Sequence, residues 1–154
     1  MARRTDAHPD NTPGPFFVDR TCIDCGTCYQ FAPDTFADTG DHARVHAQPG
    51  DDAARLKASM ALVACPVSSI GTEDKAGIAA ASRAFPQPLT WDVSFCGYTS
   101  EKSYGAWSYL IRRSGGNVLM DSPRAAEPLM KNLAALGGVA MLVLSHRDDV
   151  ADHG

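Results

Sequence analysis

The chain has 154 residues, of which 44% are hydrophobic and 21% charged, and its formal net charge is −4. These values are typical of a soluble globular protein with one ordinary domain or two small ones. A mildly acidic protein has no electrostatic attraction to nucleic acid or to anionic membranes, so we expect neither as a partner. Arg3 and Arg4 are followed by polar residues rather than by an apolar run, so we expect no export signal and a cytoplasmic protein.

The first elements predicted along the chain are a disordered tail and a short strand. Residues 1–14 are polar and rich in Pro, Asp and Asn, a composition typical of disorder. Residues 16–18, Phe-Phe-Val, favour a strand that leads into a cysteine-rich segment. Residues 29–50 contain several Pro and Gly breakers and predict loops, with a brief strand at 44–46.

One helix is well defined in the first half of the sequence. Asp51 and Asp52 suit a helix cap and first turn, because the free backbone N–H groups there stabilise carboxylates. Residues 53–64 continue with apolar side chains spaced to share one face. Pro66 ends the helix, since the residue before a proline is disfavoured in helical geometry.

The second half of the chain has a different pattern, with strands and one helix. Two prolines within residues 85–88 indicate a stiff linker, which we place at residues 85–90. The region beyond it is α/β in pattern, and its last apolar run is expected to be a strand buried on both faces. The predicted elements are a strand over residues 91–95, strands over 106–112 and 117–121 around a Ser-Gly-Gly turn, a helix that begins at Ser122-Pro123 and ends at Gly137, and a strand over 139–144.

Five cysteines in a chain without an export signal favour metal binding over disulfides. Four of them form the pattern Cys22-x-x-Cys25-x-x-Cys28, followed later by Cys65-Pro66. Three thiolates at this spacing wrap one cubane while the intervening amides point inward, and the fourth thiolate comes from elsewhere in the fold. Gly26 lets the backbone turn tightly beside them. The pattern predicts a [4Fe–4S] cluster on these four cysteines.

The same spacing indicates one cluster rather than two. In two-cluster ferredoxins the first run continues into a fourth Cys followed by Pro, and that Cys ligates the other cluster. The corresponding position here is Ala32. The second run would need cysteines at the positions of Arg55, Ala58 and Ala61. The ligands of a second cluster are therefore missing as a set.

Structural zinc is the alternative ligand for four cysteines. Zinc ligands usually come as two pairs, whereas three thiols within seven residues crowd a single tetrahedral ion, so we favour the iron–sulfur cluster. Cys96 lies outside the pattern, in an apolar strand, and is expected to be a small buried residue.

Three short motifs carry a resemblance to a known family: Cys22-Ile-Asp-Cys25-Gly-Thr-Cys28, Ala32-Pro33-Asp34-Thr35-Phe36 and Ala64-Cys65-Pro66. Through them, residues 16–71 resemble the single-cluster bacterial ferredoxins. The resemblance implies a ferredoxin-like α+β fold and low-potential electron transfer from a reductase donor to an acceptor enzyme, with no chemistry on a substrate. The long segment between Cys28 and Cys65 departs from the family pattern and is compatible with loss of the second site.

A second resemblance rests on the hairpin that ends in Asn117-Val118-Leu119-Met120-Asp121, on the helix after it, and on the strand that leads to His146. Through them, residues 91–154 resemble the opening of a metallo-β-lactamase-fold hydrolase. In that family the strand ends in His-x-His-x-Asp-His. Only His146 keeps its position, and Asp148 replaces the second histidine, so these two are candidates for a second metal. The simpler interpretation is a solvated loop.

The chain ends at Gly154, before the remaining ligands of that fold, so we expect this segment to be truncated or degenerate. The predicted fold class is α+β. A ferredoxin-like single-cluster domain at residues 15–84 is followed by a partial α/β segment at residues 91–154. The predicted function is one-electron transfer through one [4Fe–4S] cluster, without catalysis by this chain. The alternative is a ferredoxin-fused metallo-β-lactamase-fold hydrolase or oxidoreductase that is incomplete here.

Overall fold

The computed structural model describes residues 2–153, and the chain divides into two units, Met1–Ala81 and Ser82–Gly154. Both units mix helix and sheet. Among residues 2–153, no helix is both long enough and apolar enough to span a bilayer.

Two small antiparallel sheets and two helices form most of the first unit. β1 pairs with β4, and β2 pairs with β3 in a hairpin. A further helix, α3, follows β4 and continues to the start of the second unit. The elements in chain order are β1 (Phe16–Val18), α1 (Thr27–Phe31), β2 (Phe36–Asp38), β3 (Ala43–Val45), α2 (Asp52–Ala64), β4 (Ile70–Thr72) and α3 (Ala76–Arg83).

α2 confirms the helix predicted from the sequence, including both of its ends. Asp51 is the N-cap, and its side chain accepts a hydrogen bond from the Ala54 N–H at 2.8 Å. The helix ends at Ala64, and Cys65 leaves helical geometry immediately before Pro66. The strands predicted at residues 16–18 and 44–46 are also present, as β1 and β3.

Among the elements of the first unit that were not predicted are two α-helices and one strand. α1 has five residues and overlaps the start of the stretch predicted to be loops, and β2 has three residues and lies within it. α3 has eight residues, in a stretch for which no element was predicted. α1 and β2 have no clear pattern of their own and are held by tertiary contacts, which the sequence does not reveal.

One apolar core holds the first unit together. It contains fully buried side chains from β1, β2 and β3, together with residues of α2. Cys28 and Cys65 also belong to this apolar core. Its largest members are Phe16, Phe36, Ile70, Val18 and Val45, and its alanines are Ala32, Ala43, Ala58 and Ala61.

In place of the disordered tail expected at residues 1–14, residues 2–14 are tied to β1 and β3 by polar side chains. The Asn11 side chain donates to the Val18 carbonyl at 2.9 Å and accepts the N–H groups of Val18 and Val45, each at 3.0 Å. Gln48 donates to the carbonyl of Thr12 at 2.8 Å. Side-chain amides can replace missing backbone partners, so a polar segment becomes ordered without burying much apolar surface.

The second unit contains one five-stranded sheet in the order β5-β6-β7-β8-β9. Neighbouring strands are antiparallel except β8 and β9, which are parallel and connected by α4. The sheet confirms the hairpin and the final strand predicted from the sequence. Its elements are β5 (Gln87–Pro88), β6 (Val93–Phe95), β7 (Tyr109–Ile111), β8 (Val118–Met120), α4 (Glu127–Ala135) and β9 (Met141–Val143).

The stiff linker expected at residues 85–90 is instead the beginning of the second unit. Phe85 is 1% exposed, and its ring meets that of Phe95 edge-on at 5.8 Å. Gln87 and Pro88 form β5 and pair with β6. Prolines stiffen a linker but are also compatible with an edge strand. Because Phe85 is buried, this segment is part of the second unit rather than a linker.

Two further predictions for this unit need correction. α4 begins at Glu127, with Pro128 in its first turn, rather than at Pro123. β9 was expected to be buried on both faces, but Met141 is 57% and Val143 39% exposed. Within residues 2–153, β9 pairs only with β8 and is an edge strand, a position that an apolar run alone does not reveal.

Candidate metal centre

The four cysteines of the sequence pattern line one small cavity. Cys28 and Cys65 are buried, whereas Cys22 and Cys25 are half-buried. Apolar side chains complete the wall, and these include Val18, Ala43, Pro66, Val67 and Ile70. The thiols therefore meet in a largely apolar pocket with one partly open side.

Two elements and one loop bring these cysteines together. The loop before α1 carries Cys22 and Cys25, and Gly26 ends it with φ +82°, a conformation that glycine adopts without strain. Cys28 lies in α1. Cys65 is the C-cap of α2, so the proline that ends the helix also fixes where the fourth thiol emerges.

Backbone N–H groups point at two of the sulfurs from distant parts of the chain. The Ala43 N–H donates to Cys22 Sγ at 3.4 Å, so the β2–β3 hairpin supports the cysteine loop. The Ser69 N–H donates to Cys65 Sγ at 3.3 Å. The Ser69 hydroxyl lies 3.3 Å from the same sulfur. Such donors stabilise negative charge on cysteine sulfurs.

The other two sulfurs receive N–H groups from their own neighbourhood. The Thr27 N–H is hydrogen-bonded to Cys25, whose sulfur is also 3.6 Å from the Thr27 hydroxyl oxygen. The Tyr29 N–H is hydrogen-bonded to Cys28. Each of the four sulfurs therefore has at least one backbone donor.

Burial opposes ionisation of these thiols when no metal is bound. Burial raises the pKa of Cys28 far above that of a free thiol, and the neighbouring cysteines raise it further. Burial also raises the pKa of Cys25, although its Thr27 hydrogen bonds oppose the shift. A metal group must therefore displace protons and provide the positive charge that stabilises the thiolates.

The sulfurs are too far apart for a single ion. Four thiolates on one zinc, at about 2.3 Å each, would lie roughly 3.8 Å from one another. Within residues 2–153, only one group of three or more His, Cys, Asp or Glu side chains has ligand atoms that all lie within 4.8 Å of one another. That group is His8, Asp10 and His42, and it contains no cysteine. No three of the cysteine sulfurs are that close, so their spacing fits a cluster of several iron ions better than zinc.

A comparison with known families agrees with this donor set. Residues 18–72 match the family described as the 4Fe-4S single cluster domain of Ferredoxin I. This segment is therefore a [4Fe–4S] ferredoxin-type domain within a protein of mixed helix and sheet. The match includes all four cysteines that line the cavity. Curated proteins and solved structures give no match to the chain.

The predicted second-metal candidates lie near each other but gain no third ligand. His146 Nδ1 is 3.6 Å from Asp148 Oδ2, and both side chains are more than 60% exposed. Among the described residues they are not part of any group of three close ligands. The family match stops at residue 72, so the resemblance of residues 91–154 to metallo-β-lactamases stays a prediction. Cys96 is buried, as expected.

The sequence did not reveal two features near the cysteines. The hydrogen bonds from Ser69 and Ala43 to the cysteine sulfurs depend on tertiary contacts. Only the bond from Ser69 to Cys65 could have been suggested by the sequence, because these two residues are close along the chain. The group of His8, Asp10 and His42 joins residues more than thirty positions apart, all of which lay in segments predicted to be a tail or loops. Polar segments of this kind gave no pattern that indicates a shared site.

Proposed function

We propose that Cys22, Cys25, Cys28 and Cys65 bind one [4Fe–4S] cluster and that the chain transfers single electrons between redox partner proteins. The observation that carries the proposal is the shared cavity, in which all four sulfurs have backbone N–H donors. The bound cluster would supply a one-electron redox centre. No catalytic group is needed for this role. Five free cysteines suit a reducing compartment such as the cytoplasm.

The residues at the positions that would ligate a second cluster support the binding of only one cluster. Ala32, Ala58 and Ala61 occupy three of those positions, and each is at most 2% exposed in the apolar core. Side chains packed this closely leave no room for another cubane. Replacing them with cysteine would not by itself create a second site.

The protein residues around the sulfurs would adjust the reduction potential of the cluster and would take no part in a chemical reaction. Their N–H groups stabilise the additional negative charge of the reduced state, which raises the reduction potential. The apolar wall opposes that charge by excluding water. The balance between these two effects sets the reduction potential. The Ser69 hydroxyl is one further donor, which stabilises the reduced cluster and so raises the potential.

Electrons would enter and leave through the half-buried loop that carries Cys22 and Cys25. Asp24 lies in this loop, and burial and the nearby Asp38 carboxylate raise its pKa. The acidic groups near the loop also include Asp41. They favour partners with basic docking surfaces, because opposite charges speed encounter.

A reductive titration of anaerobically purified protein tests the proposed function. We expect a brown protein that takes up one electron per chain from dithionite, with loss of its visible absorption, and passes that electron to a cationic protein acceptor. The transfer rate should fall as ionic strength rises. A colourless protein, or a metal centre that cannot be reduced, would contradict the proposal.

The metallo-β-lactamase-like hydrolase is the second candidate. One observation favours it: β8, α4 and β9 form a β-α-β unit in which Asp121 and His146 both follow the carboxyl ends of parallel strands. Ser145 donates to Asp121 from both its N–H and its hydroxyl, each at 2.7 Å. Finding one or two further metals bound to residues 82–154, with ester or thioester hydrolysis, would support this function.

A further inference from the structure

Two histidines and two aspartates meet where the N-terminal segment crosses the β2–β3 hairpin. The rings of His8 and His42 are stacked, with centroids 3.7 Å apart and planes within 11° of each other. Asp10 comes from the same segment as His8, and Asp41 precedes His42 in the hairpin. The His42 side chain is only 15% exposed, so this contact is partly shielded from water.

The separation between His42 and Asp10 matches that between two ligands of a tetrahedral metal ion. His42 Nε2 lies 3.2 Å from one oxygen of Asp10 and 3.3 Å from the other. Two ligands bound to zinc at about 2.0–2.1 Å are roughly 3.3 Å apart in tetrahedral geometry. The ligand atoms of His8, Asp10 and His42 are all within 4.8 Å of one another.

Asp41 orients His42 as the carboxylate partner of a zinc-bound histidine does. Its Oδ1 lies 2.6 Å from His42 Nδ1 and also accepts from the Thr39 hydroxyl at 2.8 Å. A carboxylate on Nδ1 keeps a proton there. His42 Nε2 lies at hydrogen-bond distance from the Asp10 carboxylate, so a metal ion would displace the proton shared by these two groups and bind between them. The hydrogen bond with Asp41 therefore holds the His42 ring with Nε2 directed at Asp10.

We propose that His8, Asp10 and His42 bind one Zn²⁺ ion, with Asp41 orienting His42 and water completing the coordination. Zinc accepts imidazole nitrogen and carboxylate oxygen as ligands. The His8 ring would tilt out of the stack to direct a nitrogen at the ion. The site would join residues 8–10 to the hairpin beside Ala43, whose N–H donates to Cys22. It is separate from the cysteine cavity and does not depend on the proposed electron transfer.

Zinc titration of the full, cluster-loaded chain without an affinity tag tests this proposal. We expect one Zn²⁺ per chain to remain after gel filtration, in addition to the iron. Its X-ray absorption spectrum should show nitrogen and oxygen ligands only. His42→Gln and Asp10→Asn should each abolish stoichiometric binding, and Asp41→Asn should weaken it about 10–100-fold.

His46→Gln is the matched control, because His46 is in the same unit and its ring contacts the Pro33 carbonyl instead. This variant should bind zinc as the unchanged chain does. Unchanged visible absorption of the cluster shows that each variant is folded. If His42→Gln loses this absorption, zinc binding by Asp10→Asn is the measurement that tests the proposal. No retained zinc, sulfur among the zinc ligands, or equal binding by Asp10→Asn and the unchanged chain would overturn the proposal.

Discussion

Cys65 obtains its position from the residues on both sides of it. α2 ends at the preceding alanine, Pro66 prevents the helix from continuing, and the Ser69 N–H then donates to the sulfur. The side chain is 6% exposed and lines the same cavity as Cys22, Cys25 and Cys28. A serine there would keep the backbone but would be a much poorer ligand for iron.

We predict that Cys65→Ser loses most of its iron, whereas Cys96→Ser keeps all of it. Cys96 is also buried but lies in the second unit, where burial raises the pKa of its thiol to about 11. Iron analysis of both proteins after identical anaerobic reconstitution measures the difference. Equal loss of iron from the two variants would show that the fourth ligand is wrongly assigned.

Ser69 offers a test of how the protein tunes the site. Its hydroxyl lies 3.3 Å from Cys65 Sγ, and a donor to this sulfur stabilises the reduced cluster more than the oxidised one. Ser69→Ala removes that donor but keeps the N–H. If the hydrogen bond contributes about 0.5–1.5 kcal/mol, the reduction potential should fall by roughly 20–60 mV.

Ser59→Ala is the matched control, because Ser59 is also buried and its hydroxyl has no hydrogen-bond partner. Protein-film voltammetry of the two variants gives the comparison. We expect the potential of Ser59→Ala to equal that of the unchanged protein. A shift of the same size in both variants, or no shift in Ser69→Ala, would exclude the hydroxyl as a tuning group.

At the scale of elements, the pairing of β1 with β4 depends on one small residue. Gly71 lies opposite Phe17, and a Cβ at this position would come within 2.2 Å of the Phe17 ring. Gly71→Ala therefore forces the ring or the strand to move, and overpacking of this kind costs about 1–3 kcal/mol of folding free energy. We predict that this variant unfolds at lower denaturant concentration than the unchanged protein.

Gly50→Ala provides the control for that measurement, since a Cβ there meets no atom within 4 Å and the backbone does not need glycine. Its unfolding midpoint in guanidinium chloride should be unchanged or slightly higher. Equal midpoints for both alanine variants would mean that the sheet has more freedom around Phe17 than the structure indicates.

The elements also show how far the sequence determines this fold. β1 and α2 were predictable because an apolar triplet, a capping Asp51 and a terminating Pro66 are local signals. The cysteine spacing likewise identified the residues that line the cavity. α1 and β2 were missed because they are held by tertiary contacts rather than by their own pattern. Ser69 and Ala43 could not be recognised as donors, because their role depends on which strands lie beside the cysteines.

At the scale of the whole molecule, the division of the chain at residues 81 and 82 predicts an autonomous first unit. All four cysteines of the cavity and their N–H donors lie within it. We predict that residues 1–84 alone fold and bind the cluster, because cluster binding adds folding free energy that a small core lacks. Iron content and amide dispersion by NMR measure this outcome. A fragment that aggregates or binds no iron would show that the second unit is needed.

The N-terminal segment adds a second prediction at this scale. Removing residues 1–12 deletes Asn11, which accepts the N–H groups of Val18 and Val45. Residues 13–84 should therefore bind the cluster but unfold more easily than residues 1–84, by about 1–3 kcal/mol. Anaerobic denaturant titrations of the two fragments give this difference. Equal midpoints would show that the ordered segment does not stabilise the unit.

Native mass spectrometry of the anaerobically reconstituted full chain tests the central claim most directly, because it counts every bound atom. In buffer without added zinc, we predict one dominant species whose mass exceeds that of the polypeptide by four irons and four sulfides. Conversion of all four cysteines to serine should remove this increment completely. A species with two clusters, with three irons, or with zinc in place of iron would contradict the assignment of one [4Fe–4S] cluster to Cys22, Cys25, Cys28 and Cys65.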